Sequence, residues 1–183
     1  MADKTFLDIE EVNALLPSNL KIQTTNPLEK GIYRTETGKL LPVLNSKYYD
    51  SSNGFWYSST TSYYKTLGVE EICFTAGLLG IFVVPIDLIW EYNKTSGWKG
   101  ESKKKGRQYH VRIRHLRLAN YNDYSQNKDL SSYFVPNGIL GLNFANQIPE
   151  RKQPRKKRIT KKYSSKLPNE EFNFDDEEFD FDF

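Results

Sequence analysis

Three features of the chain predict a small α+β domain with a long charged tail. Short β-rich runs are punctuated by Gly and Pro, a capped helical segment stands near the N-terminus, and charge separates into blocks beyond residue 148. The predicted architecture is a small, curved, mostly antiparallel sheet with one or two short helices, followed by a disordered C-terminal tail. Apolar residues make up 38% of the 183, a modest supply, but aromatics reach 14%, enough for a compact aromatic-rich core.

The elements follow in order. Asp8-Ile9-Glu10-Glu11 opens a helix, with Asp8 as the cap and Glu11 completing a capping box. Ile9, Val12, Leu15 and Leu16 share one face, and Pro17 stops the helix. Residues 18–48 read as extended. Leu20-Lys21-Ile22 and Gly31-Ile32-Tyr33-Arg34 alternate, and Leu40-Leu41-Pro42-Val43-Leu44 is an apolar run with an edge or bulge at Pro42. Phe55-Trp56-Tyr57 forms a further strand.

The strongest hairpin signal lies in Ile72-Cys73-Phe74-Thr75-Ala76 and Ile81-Phe82-Val83-Val84, joined through Gly77-Leu78-Leu79-Gly80. Pro85 suits a first helical position, and Ile86 to Tyr92 makes a short helix burying Ile86, Ile89 and Trp90. A polar loop from Asn93 to Gly106 leads to a strand from Gln108 to Leu118, bulged near His115 where the alternation slips.

Charge organises the rest of the reading. The net +3 conceals nine basic residues and no acid in 151–166, then eight acids and no base in 167–183. Blocks this segregated repel internally and offer little apolar area to offset ordering entropy. The chain therefore divides into a domain over 1–148, a disordered basic linker over 149–166 and a disordered acidic, Phe-rich tail over 167–183.

Several classes are excluded. A single Cys rules out a disulfide framework, and with two His the chain lacks the ligands for a common structural zinc site, so no metal is expected. No phosphate-loop, dinucleotide or Ser-His-Asp motif is present, and no cofactor is expected. Cys73, in an apolar strand with nothing to lower its pKa, belongs to the core. The longest uncharged stretch, Ile72 to Ile86, has 15 residues, short of the ~20 a spanning helix needs. No membrane association follows, and a cytoplasmic, nucleoid-associated location is expected, or a nuclear one in a eukaryotic source.

Lys103, Lys104, Lys105, Arg107, His110, Arg112, Arg114 and Arg117 concentrate positive charge on and before the 108–118 strand. Alternation sends Val111 and Ile113 to one face and His110, Arg112 and Arg114 to the other. Guanidinium forks match phosphate oxygens, and Trp56 and Tyr57 supply ring faces for stacking. A basic groove with aromatic platforms is the arrangement that binds single-stranded nucleic acid. The plainer alternative is a solvated arginine face over an aromatic core. Arg155, Lys156, Lys157 and Arg158 extend the basic character into the linker, which reads equally as a nucleic-acid arm or a nuclear localisation signal.

The acidic block ends Phe179-Asp180-Phe181-Asp182-Phe183. It resembles the acidic, Phe-terminated tails of bacterial and phage single-stranded DNA-binding proteins, although the Ile-Pro of the bacterial tails is absent. The resemblance implies that Asp180, Phe181, Asp182 and Phe183 contact a replication or repair partner. The block can also fold back on the basic residues and compete with nucleic acid. A second resemblance rests on Gly54-Phe55-Trp56-Tyr57, Gly80-Ile81-Phe82-Val83-Val84-Pro85 and Tyr109-His110-Val111. These stretches are similar to accessory DNA-binding domains of restriction endonucleases. The first 50 residues do not resemble the oligonucleotide-binding barrel of ordinary single-strand binders.

The expectation is a non-enzymatic DNA-binding protein of prokaryotic or phage type, single-stranded DNA favoured, whose tail recruits a DNA replication or DNA repair partner. The alternative is a Mg²⁺-dependent nuclease or restriction/defence component. Asp87, Glu101 and Lys103 fit the Asp … Glu-x-Lys spacing of such enzymes, with Asp87 on a helix and Glu101 in an exposed loop. A third reading is an adaptor that binds only protein.

Overall fold

The computed structural model describes residues 4–29, 31–49, 54–95, 99–102, 106–119 and 127–147, with the backbone alone at 99–102 and 106–107. The chain divides into two units, Met1–Pro149 and Glu150–Phe183, and every described residue belongs to the first.

The α+β expectation holds, with two sheets and more helices than expected among the described residues. One sheet has the order β1-β2-β4-β5-β10, built from Ile32–Arg34, Leu40–Ser46, Glu71–Ala76, Gly80–Pro85 and Phe134–Pro136. The other joins β3 (Phe55–Ser59), β7 (Gly106–Arg114), β8 (Arg117–Leu118) and β9 (Lys128–Asp129), with β6 (Lys99–Ser102) on the free side of β7. These neighbouring strands pair antiparallel except β2 and β4, which run parallel from Val43/Cys73 to Ser46/Ala76. Among the described residues four short helices accompany them: α1 (Ile9–Leu15), α2 (Thr61–Thr66), α3 (Ile86–Thr95) and α4 (Gly138–Asn146).

The first sheet is buried on both faces. Ile72, Phe74, Ala76, Phe82 and Val84 meet Phe55, Tyr57, Val111, Ile113 and Leu118 of the second sheet in one core. On the opposite face Leu41, Val43, Cys73 and Ile81 pack under Leu7, Val12, Leu16 and Leu20 of the N-terminal segment. This double burial explains why the β4 and β5 sequences are nearly continuous apolar runs rather than alternations. Full burial of each Phe ring contributes roughly 1.5–3 kcal/mol. Cys73 lies wholly in the second core, where burial pushes its thiol up to about 12.

α1 forms as its sequence predicts. Asp8 accepts from the Glu11 N–H and the Glu11 carboxylate accepts from the Asp8 N–H, both at 2.9 Å. The Leu20-Lys21-Ile22 strand does not form. Ser18–Leu20 is a 3₁₀ turn, and the Asn13 side chain holds both the N–H and the C=O of Ile22 at 2.7 and 3.2 Å, satisfying groups a ladder would use. Pro42 sits within β2 without a bulge. The Val43 N–H points to Gly31 on the β1 side, so the position of the missing Pro42 N–H faces β4, whose ladder begins one residue later.

The β4–β5 hairpin is as expected, turning at Gly77 with Phe74 opposite Phe82. Pro85 ends β5 and the helix opens at Ile86; Ile86 and Ile89 are buried, while Trp90 is only half-buried. Two expectations are corrected in the region that follows. The polar loop from Asn93 to Gly106 contains the end of α3 and the strand β6, whose Lys-Gly-Glu-Ser composition carries no strand signal and whose pairing is supplied by β7. The single bulged strand from Gln108 to Leu118 is a hairpin: Arg114 pairs with Arg117 across a turn of His115 and Leu116. The alternation slips because the chain reverses, and His115 takes the left-handed conformation with φ +49°.

β3 and β7 approach closely at Gly54. A Cβ there would lie 2.2 Å from the Ile113 carbonyl oxygen, so only glycine allows the strand to enter its ladder at this point.

Candidate nucleic-acid interface

Strand alternation divides the second sheet into an inner and an outer face. On β7, Tyr109, Val111 and Ile113 are buried, and Gln108, His110, Arg112 and Arg114 take the other face. On β3, Phe55, Tyr57 and Ser59 are buried, while Trp56 is half-buried and Ser58 exposed. The register sets Trp56 directly opposite Arg112 and Ser58 opposite His110. A one-residue slip would place every one of these groups in the core.

The pairing builds a compact group. The Arg112 guanidinium carbon stands 5.1 Å from the Trp56 ring centroid, and the His110 ring meets Trp56 edge-on at 6.5 Å and 66°. Arg112 is 8% exposed and therefore belongs to the structure as much as to the surface. A desolvated guanidinium over an indole face is worth about 2 kcal/mol, which helps hold the ring in one orientation. This corrects the expectation of a solvent-facing Arg112, because the bulky neighbour that covers it comes from β3 and is invisible in the β7 sequence.

Arg114 is half-buried and Arg117 exposed, facing each other across the two-residue turn. Asp129, opposite Arg117 on β9, relieves their repulsion. The Ser131 N–H, donating to Asp129 Oδ1 at 2.8 Å, is the main reason this carboxyl lies below its ordinary range, with the Arg117 charge adding to it. Burial lowers the pKa values of His110 and His115, keeping both imidazoles neutral to lower pH than usual. The His115 ring is committed to Phe144, 4.7 Å away.

Not all expected site residues meet here. Tyr57 points into the core, 3% exposed, and its hydroxyl donates to the Thr75 carbonyl at 2.8 Å. It bridges the two sheets and offers no ring face to a base; its place next to Trp56 in the sequence puts it on the opposite side of the strand. The Arg107 backbone lies in β7, opposite Glu101 on β6. Lys103, Lys104, Lys105, Arg155, Lys156, Lys157, Arg158, Asp180, Phe181, Asp182 and Phe183 lie outside the described residues.

The carboxylates of the nuclease alternative are placed on different elements. Asp87 is exposed in the first turn of α3, its Oδ1 2.6 Å from Lys65 Nζ, whereas Glu101 is on β6, a strand and not the expected loop. Among the described residues no group of three His, Cys, Asp or Glu side chains converges as metal ligands. No described helix is long and apolar enough to cross a membrane.

Beside this outer face, residues of both sheets line a cleft of about 740 Å³. Its lining comes from β1 and β2, from Ser58 on β3 and Gln108 on β7, from Thr60 and Tyr64, and from residues 6–12 around the start of α1. No local pattern marks it, since its walls come from segments about 100 residues apart that share no motif.

Comparison with family models, with curated proteins and with solved structures finds no match.

Arg112 and Arg114 are adjacent on one face but differ in burial, so their alanine variants should separate. Arg112→Ala removes a buried packing partner of Trp56 and should lower Tm by several degrees, on a scale of about 2–4 °C per kcal/mol for a chain of this size. Arg114→Ala should leave Tm unchanged. Differential scanning fluorimetry decides it: equal Tm values for both variants would show that Arg112 is not a structural residue.

Proposed function

We propose that the outer face of the second sheet binds nucleic acid, with single-stranded DNA favoured, and that the protein acts as a non-enzymatic DNA-binding protein. The observation that carries this reading is the Trp56–Arg112–His110 group, a half-buried indole held by a guanidinium on its ring, with Arg114 and Arg117 further along the same face. Trp56 is the stacking platform, because every base has a π-face and stacking needs no particular sequence. Arg114 and Arg117 are the phosphate ligands, with His110 as a neutral donor. Arg112 orients Trp56. Residues 151–166 add sequence-independent phosphate neutralisation through nine basic side chains.

The acidic block over 167–183 competes with nucleic acid for the basic block beside it, and its Phe-ended tip recruits a replication or repair protein. A terminal ring with its own carboxylate fits an apolar pocket rimmed by basic groups. Deleting Phe183 should abolish capture of such a partner while leaving oligonucleotide affinity unchanged. Equal capture by the shortened chain would reduce the tail to a charge-balancing element.

The binding reading is tested by fluorescence anisotropy with a labelled single-stranded oligonucleotide. Trp56→Ala should cost about 1–3 kcal/mol of affinity, the worth of one stacked base. Replacing Arg114 and Arg117 together by Ala should flatten the dependence of log K on log salt by about 1.4, from two lost phosphate contacts at ~0.7 each. Wild-type affinity in Trp56→Ala, with an unchanged salt slope in the double variant, would overturn the assignment of this face.

A further inference from the structure

The cleft beside the interface has a chemistry different from the face it adjoins. Gln108 lies two residues before His110 on the same side of β7, and Ser58 lies directly opposite His110 on β3. Both line the cleft, as does Asn45 on β2 across from them. Asp8 is the one charged residue among the described lining groups, and it is committed to Lys4 Nζ at 2.7 Å and to the Glu11 N–H at 2.9 Å. The side chains of Asn45, Ser58 and Gln108 hydrogen-bond to no described residue. Phe6 and Tyr33 add ring surface.

A cleft lined by rings, aliphatic groups and unengaged neutral amides rejects a phosphate and suits a flat, uncharged, hydrogen-bonding heterocycle. Its volume falls in the range of small-molecule sites, about 300–1,000 Å³, large enough for a base with its sugar. The anion-binding groups lie further along the same strand. Gln108 and Arg114, the nearer phosphate ligand, are six residues apart on β7, about 20 Å at ~3.3 Å per residue. A strand with its phosphates at Arg114 and Arg117 can therefore place a base a few nucleotides away at the cleft. Asn and Gln amides each present a donor and an acceptor together, the pattern that reads a base edge.

We infer that the cleft between Asn45 and Gln108 receives one unpaired base of the bound strand and reads its hydrogen-bonding edge. This rests on the nucleic-acid reading above and adds base selectivity to it. An edge already engaged in a duplex cannot enter, so the cleft also favours single strands.

The test uses the full chain and labelled homopolymers of dA, dC, dG and dT, with an abasic strand as reference and free nucleosides as competitors. Wild type should prefer one homopolymer by about tenfold, within the range for a good bidentate base contact. Asn45→Ala combined with Gln108→Ala should erase that preference and leave affinity for the abasic strand unchanged. Ser58→Phe, which fills the cleft from an exposed strand position, should do the same. The preferred nucleoside should compete weakly, because it brings no phosphates to the arginines; competition equal to that of the strand would make the cleft a free-nucleoside site and overturn the inference. Equal loss for all homopolymers and the abasic strand, or a preference retained in both variants, would also overturn it while leaving the interface reading intact. Failure of wild type to bind any oligonucleotide would instead remove the interface reading itself.

Discussion

The burial of the first sheet on both faces is the constraint from which the rest of the domain follows. β4 and β5 carry Ile72, Phe74, Phe82 and Val84 on one side and Cys73 and Ile81 on the other, so neither face can be left to water. α1 and the N-terminal segment cover one side. The second sheet must cover the other, and it does so with Phe55, Tyr57, Val111, Ile113 and Leu118. Once those five point inward, the two-residue period of a strand sends Trp56, His110, Arg112 and Arg114 outward. The candidate interface is thus a geometric consequence of core packing.

The same constraint gives that face its order. Register across β3 and β7 is pinned where Gly54 enters the ladder against Ile113 and by the Tyr57 hydroxyl on the Thr75 carbonyl of the first sheet. With the register fixed, Trp56 and Arg112 face each other, and the guanidinium settles on the indole. A loosely held Trp would lose rotamer freedom on stacking with a base. One already held by Arg112 has less to lose, which is the general advantage of a preorganised site.

Local signals in the sequence were legible where the deciding contacts are local. The Asp8–Glu11 capping box and the β4–β5 hairpin depend on residues a few positions apart, and both form as read. The outward placement of His110, Arg112 and Arg114 follows from alternation alone. What could not be read depends on distant partners. Arg112 is buried because Trp56 arrives opposite it, Tyr57 is lost to stacking because its hydroxyl finds Thr75, and β6 is a strand because β7 offers an edge. The slip after Arg114 was visible in the pattern, but a bulge and a two-residue turn both produce it, and the choice depends on whether Leu118 can return to the core beside Ile113.

Binding at the outer face of the second sheet is measured most directly by photocrosslinking of the full chain to a single-stranded oligonucleotide, with the attachment sites mapped by mass spectrometry. Crosslinks are expected at Trp56 and along the outer residues of β7, and none at Tyr57 or on the α1 face of the first sheet. Crosslinks confined to residues 151–166, with Trp56 unmodified, would contradict it and make the folded domain a carrier for a basic arm.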